Sequence, residues 1–154
     1  MAKSKATDAI KLLKADHDEV KRAFKEFEKL DREDTTAMEE LVVQVCEALK
    51  AHTTVEEEIF YPAVRAAIDD DDLMNEAQVE HQSAKDLIEQ LEGMDSTDPL
   101  YPATFTVLGE YVLHHAKEEE DEMFPAARKA EIDLEALGEE IQARKEELTQ
   151  SEAV

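Results

Sequence analysis

Apolar side chains recur along this chain at steps of three and four residues, the spacing that places them on one face of an α-helix. Four such stripes follow one another, and each has six members: Ile10, Leu13, His17, Val20, Phe24 and Phe27; Val42, Val45, Leu49, His52, Glu56 and Ile59; Met74, Ala77, His81, Ala84, Ile88 and Leu91; Phe105, Leu108, Val112, His115, Glu119 and Met123. The pattern predicts four main helices, each with one buried face.

The first two helices are preceded by residues that can cap them. Residues 1–6 read as a loose basic tail, after which Thr7 or Asp8 is available as the N-cap of the first helix. Thr36 and Glu39 have the spacing of a capping box, in which each side chain bonds the backbone of the other. We therefore expect the second helix to begin at Thr36.

Proline, glycine and acidic residues mark the remaining helix ends. Pro62 is expected to kink or end the second helix, and Pro125 to end the fourth, because a proline inside a helix removes a backbone hydrogen bond. The third helix is expected to follow the acidic turn 69–72 and to stop at Gly93. The fourth helix should begin near Pro102.

A fifth helix is predicted from about 133 to 150, with Asp133 as its cap and a stripe of its own: Leu134, Leu137, Ile141 and Leu148. It contains no histidine, and we expect it to pack on the outside or to mediate association, as a monomer or a weak homo-oligomer. Helices joined by short loops favour an up-down-up-down antiparallel four-helix bundle at about 8–128, with this additional C-terminal helix. At 154 residues the chain is expected to form a single domain, 1–154.

Composition supports this class and limits the partners. Three glycines, four prolines and 5% aromatic residues favour an all-α protein. A net charge of −23 repels phosphate backbones and anionic lipids, so we expect no nucleic-acid and no membrane partner. The single Cys46 excludes an internal disulfide and a cysteine-held metal cluster. With no apolar run of membrane length and no signal-peptide core at the N-terminus, the expected location is cytoplasmic.

Six polar residues interrupt the apolar stripes in a repeated order. The segment HTTVEEEIFYP at 52–62 returns 63 positions later as HAKEEEDEMFP at 115–125. His17 precedes His52 by 35 positions, and His81 precedes His115 by 34. A buried carboxylate without a partner costs several kcal/mol, and no Lys or Arg shares the stripes. The pattern therefore predicts a metal site formed by His17, His52, Glu56, His81, His115 and Glu119.

These residues and the trailing FYP and FP segments resemble the hemerythrin-like, or HHE, cation-binding domains over about Ile10 to Arg128. The resemblance implies a non-haem di-iron centre of the His4Glu2 type, with an oxo or hydroxo bridge between the irons. By the same resemblance His17 and His52 bind one iron, His81 and His115 bind the other, and both glutamates bridge: Glu56 and Glu119.

One position departs from the oxygen-carrying members of the family. They have a further histidine four residues after the third-helix ligand, where this chain has Lys85, as it has Lys21 four residues after His17. The two irons are therefore expected to be nearly equivalent, each with an open position. The set is more similar to iron-sulfur-cluster repair proteins and related bacterial HHE domains, although the cysteine-bearing N-terminal segment of the repair proteins is missing.

The function implied is binding of, or reaction with, a small oxidant or diatomic ligand such as dioxygen, peroxide or nitric oxide, in an oxidative or nitrosative stress response. The alternatives are iron storage, sensing or delivery, including cluster repair, without catalysis, and a metal-free bundle acting through its acidic faces or fifth helix. Whether the protein is an enzyme stays open at this point.

Several polar neighbours of the six residues are expected to have roles other than metal ligation. His114 breaks the stripe, so we expect it to flank the site. A solvated face is expected for four glutamates: Glu57, Glu58, Glu118 and Glu120. Glu122 is expected at the surface, with an extra metal ligand as the alternative, and Tyr111 is expected in packing, with a hydrogen bond or electron transfer near the metals as the alternative. Lys21 and Lys85 are expected at the edges of the buried faces.

Overall fold

The computed structural model of the chain describes residues 8–153, with side chains through residue 149. The predicted basic tail 1–6 and Thr7 lie outside the described residues. Within them every element is helical: α1 (Ala9–Glu28), α2 (Thr35–Val55), the π-helical segment π1 (Glu56–Phe60), α3 (Tyr61–Ala67), α4 (Asp71–Glu92), α5 (Leu100–Glu118), the π-helical segment π2 (Glu119–Met123), α6 (Phe124–Lys129) and α7 (Leu134–Ala153).

Aspartates cap the helices for which we predicted caps. The Asp8 carboxylate accepts a hydrogen bond from the Lys11 amide at 2.8 Å, and Asp133 accepts one from the Ala136 amide at 3.1 Å, which confirms both as caps. The predicted start of the second helix at Thr36 is wrong by one residue, because Asp34 acts as the N-cap of α2 and accepts from the Ala37 amide at 3.0 Å. The Asp34 carboxylate therefore caps α2 in place of the expected capping box of Thr36 and Glu39.

Neither inner proline ends its helix. Pro62 and Pro125 lie in the first turn of α3 and α6, and helical backbone continues through π1 and π2 into them. In each π segment the amide after it bonds a carbonyl five residues back, from Tyr61 to Glu56 and from Phe124 to Glu119. A wider turn just before a proline relieves the clash of its ring with the carbonyl four residues earlier. The prediction that Pro125 ends the fourth helix is therefore wrong, and so is one of the two outcomes expected for Pro62, an end rather than a kink.

The core consists of two apolar clusters with the polar residues of the stripes between them. Along α1, Leu13 belongs to one cluster and Val20 to the other, with His17 between them. The same change of cluster occurs around the stripe histidine of each of the other three long helices, and its direction alternates from one helix to the next. The site thus lies where four helices pass each other midway.

The C-terminal helix packs against the other helices. α7 contacts α1, α2 and π1, and its Ile141 side chain is fully buried in one of the two clusters. α4 packs mainly on α5, where α1 also approaches closely at Gly109. No helix in the range 8–153 is both long and apolar enough to cross a membrane.

Candidate metal centre

The six polar residues of the stripes meet in one buried cluster. Glu56 and Glu119 are only 0% and 1% exposed, and the four histidines surround them. Their possible ligand atoms form two overlapping groups, within each of which all lie within 4.8 Å of one another. One group is His17, His52, Glu56 and Glu119, and the other is Glu56, His81, His115 and Glu119. Both carboxylates therefore face both pairs of histidines.

The Nε2 atoms of the histidines point at these carboxylates. Two are near Glu56, His52 at 3.3 Å from Oε2 and His81 at 2.8 Å from Oε1. The other two, of His17 and His115, are each 3.2 Å from an oxygen of Glu119. Each carboxylate thus bridges two imidazoles that come from different pairs.

The outward-facing Nδ1 atom of each histidine has its own carboxylate acceptor. The distances are 2.7 Å for His17 to Glu120, 2.8 Å for His52 to Asp16, 2.8 Å for His81 to Glu57 and 2.5 Å for His115 to Glu80. A carboxylate at Nδ1 keeps the proton on that nitrogen, so the Nε2 lone pair is available to a metal inside the cluster. All four rings are held in the orientation that ligation needs.

The four acceptors follow the internal repeat, and sequence reasoning missed their role. Asp16 and Glu80 directly precede a stripe histidine and bond the histidine of the next long helix. Glu57 and Glu120, predicted to lie on a solvated face, are each only 33% exposed because they bond His81 and His17; that prediction is wrong. An acidic residue directly before His17 and His81, and directly after Glu56 and Glu119, at matched repeat positions, was the signal available in the sequence.

Three polar atoms in this cluster require a further partner. His17 Nε2, Glu56 Oε2 and Glu119 Oε1 are buried and form no hydrogen bond of good geometry within the described part of the chain, although His17 Nε2 lies 3.2 Å from Glu119 Oε1 and Glu56 Oε2 lies 3.3 Å from His52 Nε2. No Lys or Arg pairs with either glutamate there, although a buried carboxylate needs a positive neighbour. Imidazole nitrogens with carboxylate oxygens are a donor set that suits iron. The residues present therefore fit a metal site.

Without a metal, protons are drawn to the histidines. Burial lowers the pKa of His52, but Glu56 and Asp16 outweigh it and hold the pKa well above its usual value. Burial also lowers the pKa of His115, but Glu119 outweighs this effect and raises the pKa to about 9. The same balance of burial against Glu119 raises the pKa of His17. Because a metal must displace these protons, metal binding is expected to weaken as the pH falls.

Tyr61 makes the two halves of the cluster different. Its hydroxyl donates to Glu119 Oε2 and lies 3.0 Å from His115 Nε2 and 3.1 Å from His81 Nε2. Burial, with the charges of both carboxylates, raises the pKa of Tyr61 well above its usual value, so the phenol keeps its proton. The matching repeat position is Phe124, whose ring lies parallel to His17 at 6.0 Å.

This asymmetry was not foreseen. Sequence reasoning paired Tyr61 with Phe124 in the repeat but gave neither a role, and it expected two nearly equivalent metal positions. Tyr111, for which we expect packing or else a hydrogen bond or electron transfer near the metals, is 53% exposed, so the prediction that it packs in the core is wrong. A hydroxyl at one of two repeated positions was the signal, and only the contacts of the Tyr61 hydroxyl in the folded chain show that it reaches the six residues.

The other flanking residues lie outside the cluster. His114 is 66% exposed and its Nε2 is 3.1 Å from Glu118. Together with Glu80 they form a third, surface group of possible ligands. Glu58 bonds Arg144 of α7, and Glu122 and Lys21 are exposed. Lys85 does more than cover the edge of a buried face, because its ammonium donates a hydrogen bond to Glu57 Oε1 at 2.7 Å.

A narrow cavity adjoins the four histidines. It has a volume of about 30 Å³ and is lined mainly by apolar side chains, among them Val20, Leu49, Ala84, Val112, Leu113 and Ala116. Because about 10–15 Å³ of such volume holds one water, the cavity has room for one or two water-sized molecules. Its apolar lining favours small uncharged molecules.

Comparison with known proteins agrees with these observations. A family model described as the hemerythrin HHE cation binding domain matches residues 8–127. A crystal structure of a hemerythrin HHE cation-binding domain-containing protein from Mycobacterium kansasii is 27% identical, with a TM-score of 0.80 over 94% of this chain and 89% of that one. A protein named DNA nickase from Nostoc sp. (strain PCC 7120) is 29% identical over 117 residues, which cover 76% of this chain but only 32% of that protein.

Proposed function

The chain belongs to the hemerythrin HHE cation-binding domain family and has a hemerythrin-like all-helical fold, and from this premise we propose that it binds two iron ions and, through them, binds or reacts with a small oxidant or diatomic ligand such as dioxygen, peroxide or nitric oxide. Bound iron supplies coordination positions and redox chemistry for such molecules. The proposal includes the architecture of an up-down-up-down four-helix bundle with α7 added, which the alternating order of the core clusters supports.

The observation that carries the proposal is the group of buried polar atoms that make only ion-pair contacts of 3.2–3.3 Å and no hydrogen bond of good geometry among the described residues. His17 Nε2, Glu56 Oε2 and Glu119 Oε1 all belong to the two overlapping ligand groups. In the proposed centre one ion is held by His17 and His52, the other by His81 and His115, and both glutamates are shared. The Nδ1 carboxylates support this arrangement because they orient every ring.

The cavity and Tyr61 support the choice of a small ligand. A volume of about 30 Å³ beside the histidines has room for a diatomic molecule or peroxide. On the His81 and His115 side, the protonated Tyr61 hydroxyl is a hydrogen-bond donor within the cluster. It can hold a proton next to the ligands there, whereas Phe124 offers none on the other side.

DNA cleavage is no part of the proposal. The relative from Nostoc carries the name DNA nickase, but the residues shared with this chain are 32% of that protein. A net charge of −23 also opposes the approach of a phosphate backbone. We propose a protein of the cytoplasm, monomeric or weakly self-associating, whose partner is the small ligand, with a role in the response to oxidative or nitrosative stress.

Metal analysis and optical spectra of protein produced with ample iron test the proposal. We expect two irons per chain and a spectrum that changes on exposure to dioxygen, peroxide or nitric oxide. Well under one metal per chain would refute the metal pair. Two irons with spectra that none of the three ligands alters, and rapid loss of iron to a weak chelator, would refute the ligand chemistry and favour a store.

A matched pair of variants tests the ligand set itself. His115→Ala should abolish binding of the metal pair, because it removes an inward Nε2 donor next to Glu119. His114→Ala should leave two irons bound, because this neighbouring ring is 66% exposed and pairs with Glu118. Iron per chain, measured by elemental analysis, is the readout. The reverse result would show that helix α5 presents the other histidine.

A further inference from the structure

Helix α7 contributes a charged side chain to the network around the histidines. The family match ends at residue 127, and α7 (Leu134–Ala153) lies beyond it. Buried Ile141 anchors the helix in the core, and Arg144 bonds Glu58 of π1 at 2.9 Å. The next residue, Lys145, reaches in the other direction, to α1. A segment outside the matched region therefore touches the surroundings of the proposed metal centre.

Lys145 completes a chain of hydrogen bonds that ends at His52. Its ammonium donates to Asp16 Oδ1 at 2.6 Å, and the other oxygen of Asp16 accepts from His52 Nδ1 at 2.8 Å. Asp16 is 15% exposed and Lys145 32%, so the pair is shielded from solvent in part. Each oxygen of this carboxylate has one partner, which fixes its rotation about the side-chain bond.

The same arrangement occurs once more, on the opposite side of the cluster. Lys85 donates to Glu57 Oε1 at 2.7 Å, and Glu57 Oε2 is 2.8 Å from His81 Nδ1. The remaining two acceptors, Glu120 and Glu80, have no lysine partner among the described residues. Each proposed ion thus has one histidine whose carboxylate is held by a lysine.

We propose that Lys145 is a positioning residue for the ion held by His17 and His52, acting through Asp16 on the orientation of His52. This inference rests on the proposed iron pair. Removal of the ammonium frees one oxygen of Asp16, so the carboxylate can turn toward solvent and release the His52 ring. Loss of an outer partner of a metal-bound histidine typically weakens metal binding by about 10-fold to 100-fold.

Iron release from the loaded, reduced protein to a colorimetric ferrous chelator tests the role. In Lys145→Met we expect one of the two irons to leave about 10 to 100 times faster than in the wild type, and the other at the original rate. Lys145→Arg should restore slow release, because a guanidinium can also donate to Asp16. Lys85→Met should accelerate one iron as well, and the double Met variant should accelerate both.

Two further variants separate positioning from support of the fold. Arg144→Met removes the neighbouring ion pair of α7 without touching Asp16, so release should stay within about twofold of the wild type, as expected for an exposed pair. In an Asp16→Asn background, Lys145→Met should add no further acceleration, because the residue acts through that carboxylate. The thermal unfolding temperature of each metal-free variant shows whether the substitution has changed the stability of the helical fold.

Three outcomes would overturn the inference. Wild-type release rates in Lys145→Met would make the contact with Asp16 irrelevant to the metal. Equal acceleration of both irons, matched by Arg144→Met and by a lower unfolding temperature, would show that α7 only supports the fold. A wild-type protein that holds no iron pair would refute the proposed function, and this inference with it, before any variant is compared.

Discussion

Titration of His115 should control the stability of the metal-free protein at neutral to alkaline pH. Burial opposes the charge on this ring, but Glu119 at 3.2 Å and Glu80 outweigh it and raise the pKa from 6.5 to about 9. A group whose pKa is higher in the folded state stabilises that state below its unfolded pKa. This stabilisation is then lost as the pH rises through the folded pKa.

The expected magnitude follows from the size of this rise. At about 1.4 kcal/mol for each pKa unit, the change at His115 is worth about 3 kcal/mol, and 12% exposure of the ring leaves little solvent screening. The contribution is complete below pH 6.5 and should disappear by about pH 9.5. His17, whose pKa is also raised, adds in the same direction.

Urea unfolding of the metal-free protein at pH 6 and pH 9.5 measures the effect. The free energy of unfolding should fall by about 3 kcal/mol or more between the two. His115→Leu should remove the part of this change that His115 contributes, about 3 kcal/mol, and keep the part due to His17 and His52, whereas His114→Ala should keep all of it, since that ring is 66% exposed. Equal free energies of unfolding at both pH values in the wild type would refute the reasoning.

Iron should reverse the pH dependence. Once a metal occupies the inner face of the cluster, the Nε2 atoms hold it in place of protons, so the alkaline loss of stability should vanish. Protons then compete with the metal, and the loaded protein should become less stable as the pH falls. A loaded protein with the same alkaline loss as the metal-free one would contradict metal binding at these histidines.

Three further substitutions give distinct expectations. Tyr61→Phe should keep two irons per chain but change the optical response to peroxide or nitric oxide, because the hydroxyl next to Glu119 is gone; an unchanged response would deny it a role. Gly109→Ala should lower stability by about 1–3 kcal/mol in thermal unfolding, because the new Cβ would lie 2.9 Å from the Phe24 ring. The control Gly93→Ala should be nearly neutral, because no atom lies nearer than 3.8 Å to its Cβ. A stabilised Gly109 variant would contradict this packing. Ile141→Ala should cost about 2–5 kcal/mol of unfolding free energy because the side chain is fully buried; a loss below about 1 kcal/mol would mean that α7 is not anchored there.

Local rules were sufficient where one helix turn carries the information. The stripes with His17, His52, Glu56, His81, His115 and Glu119 predicted the helices and the residues that the structure brings together. That these six are the ligands stays a prediction. Local rules failed at Pro62 and Pro125, because a π-helical turn accommodates each ring and lets the backbone continue.

The sequence by itself determined which faces are apolar and which polar residues interrupt them, because both follow from helical periodicity. Only the tertiary structure decided the partners of those residues. Glu120 and His17 are 103 positions apart, and Lys145 and Asp16 are 129 apart, yet each pair is joined by one hydrogen bond. Such pairs depend on how helices cross and rotate against each other, and no spacing within a single helix encodes that geometry.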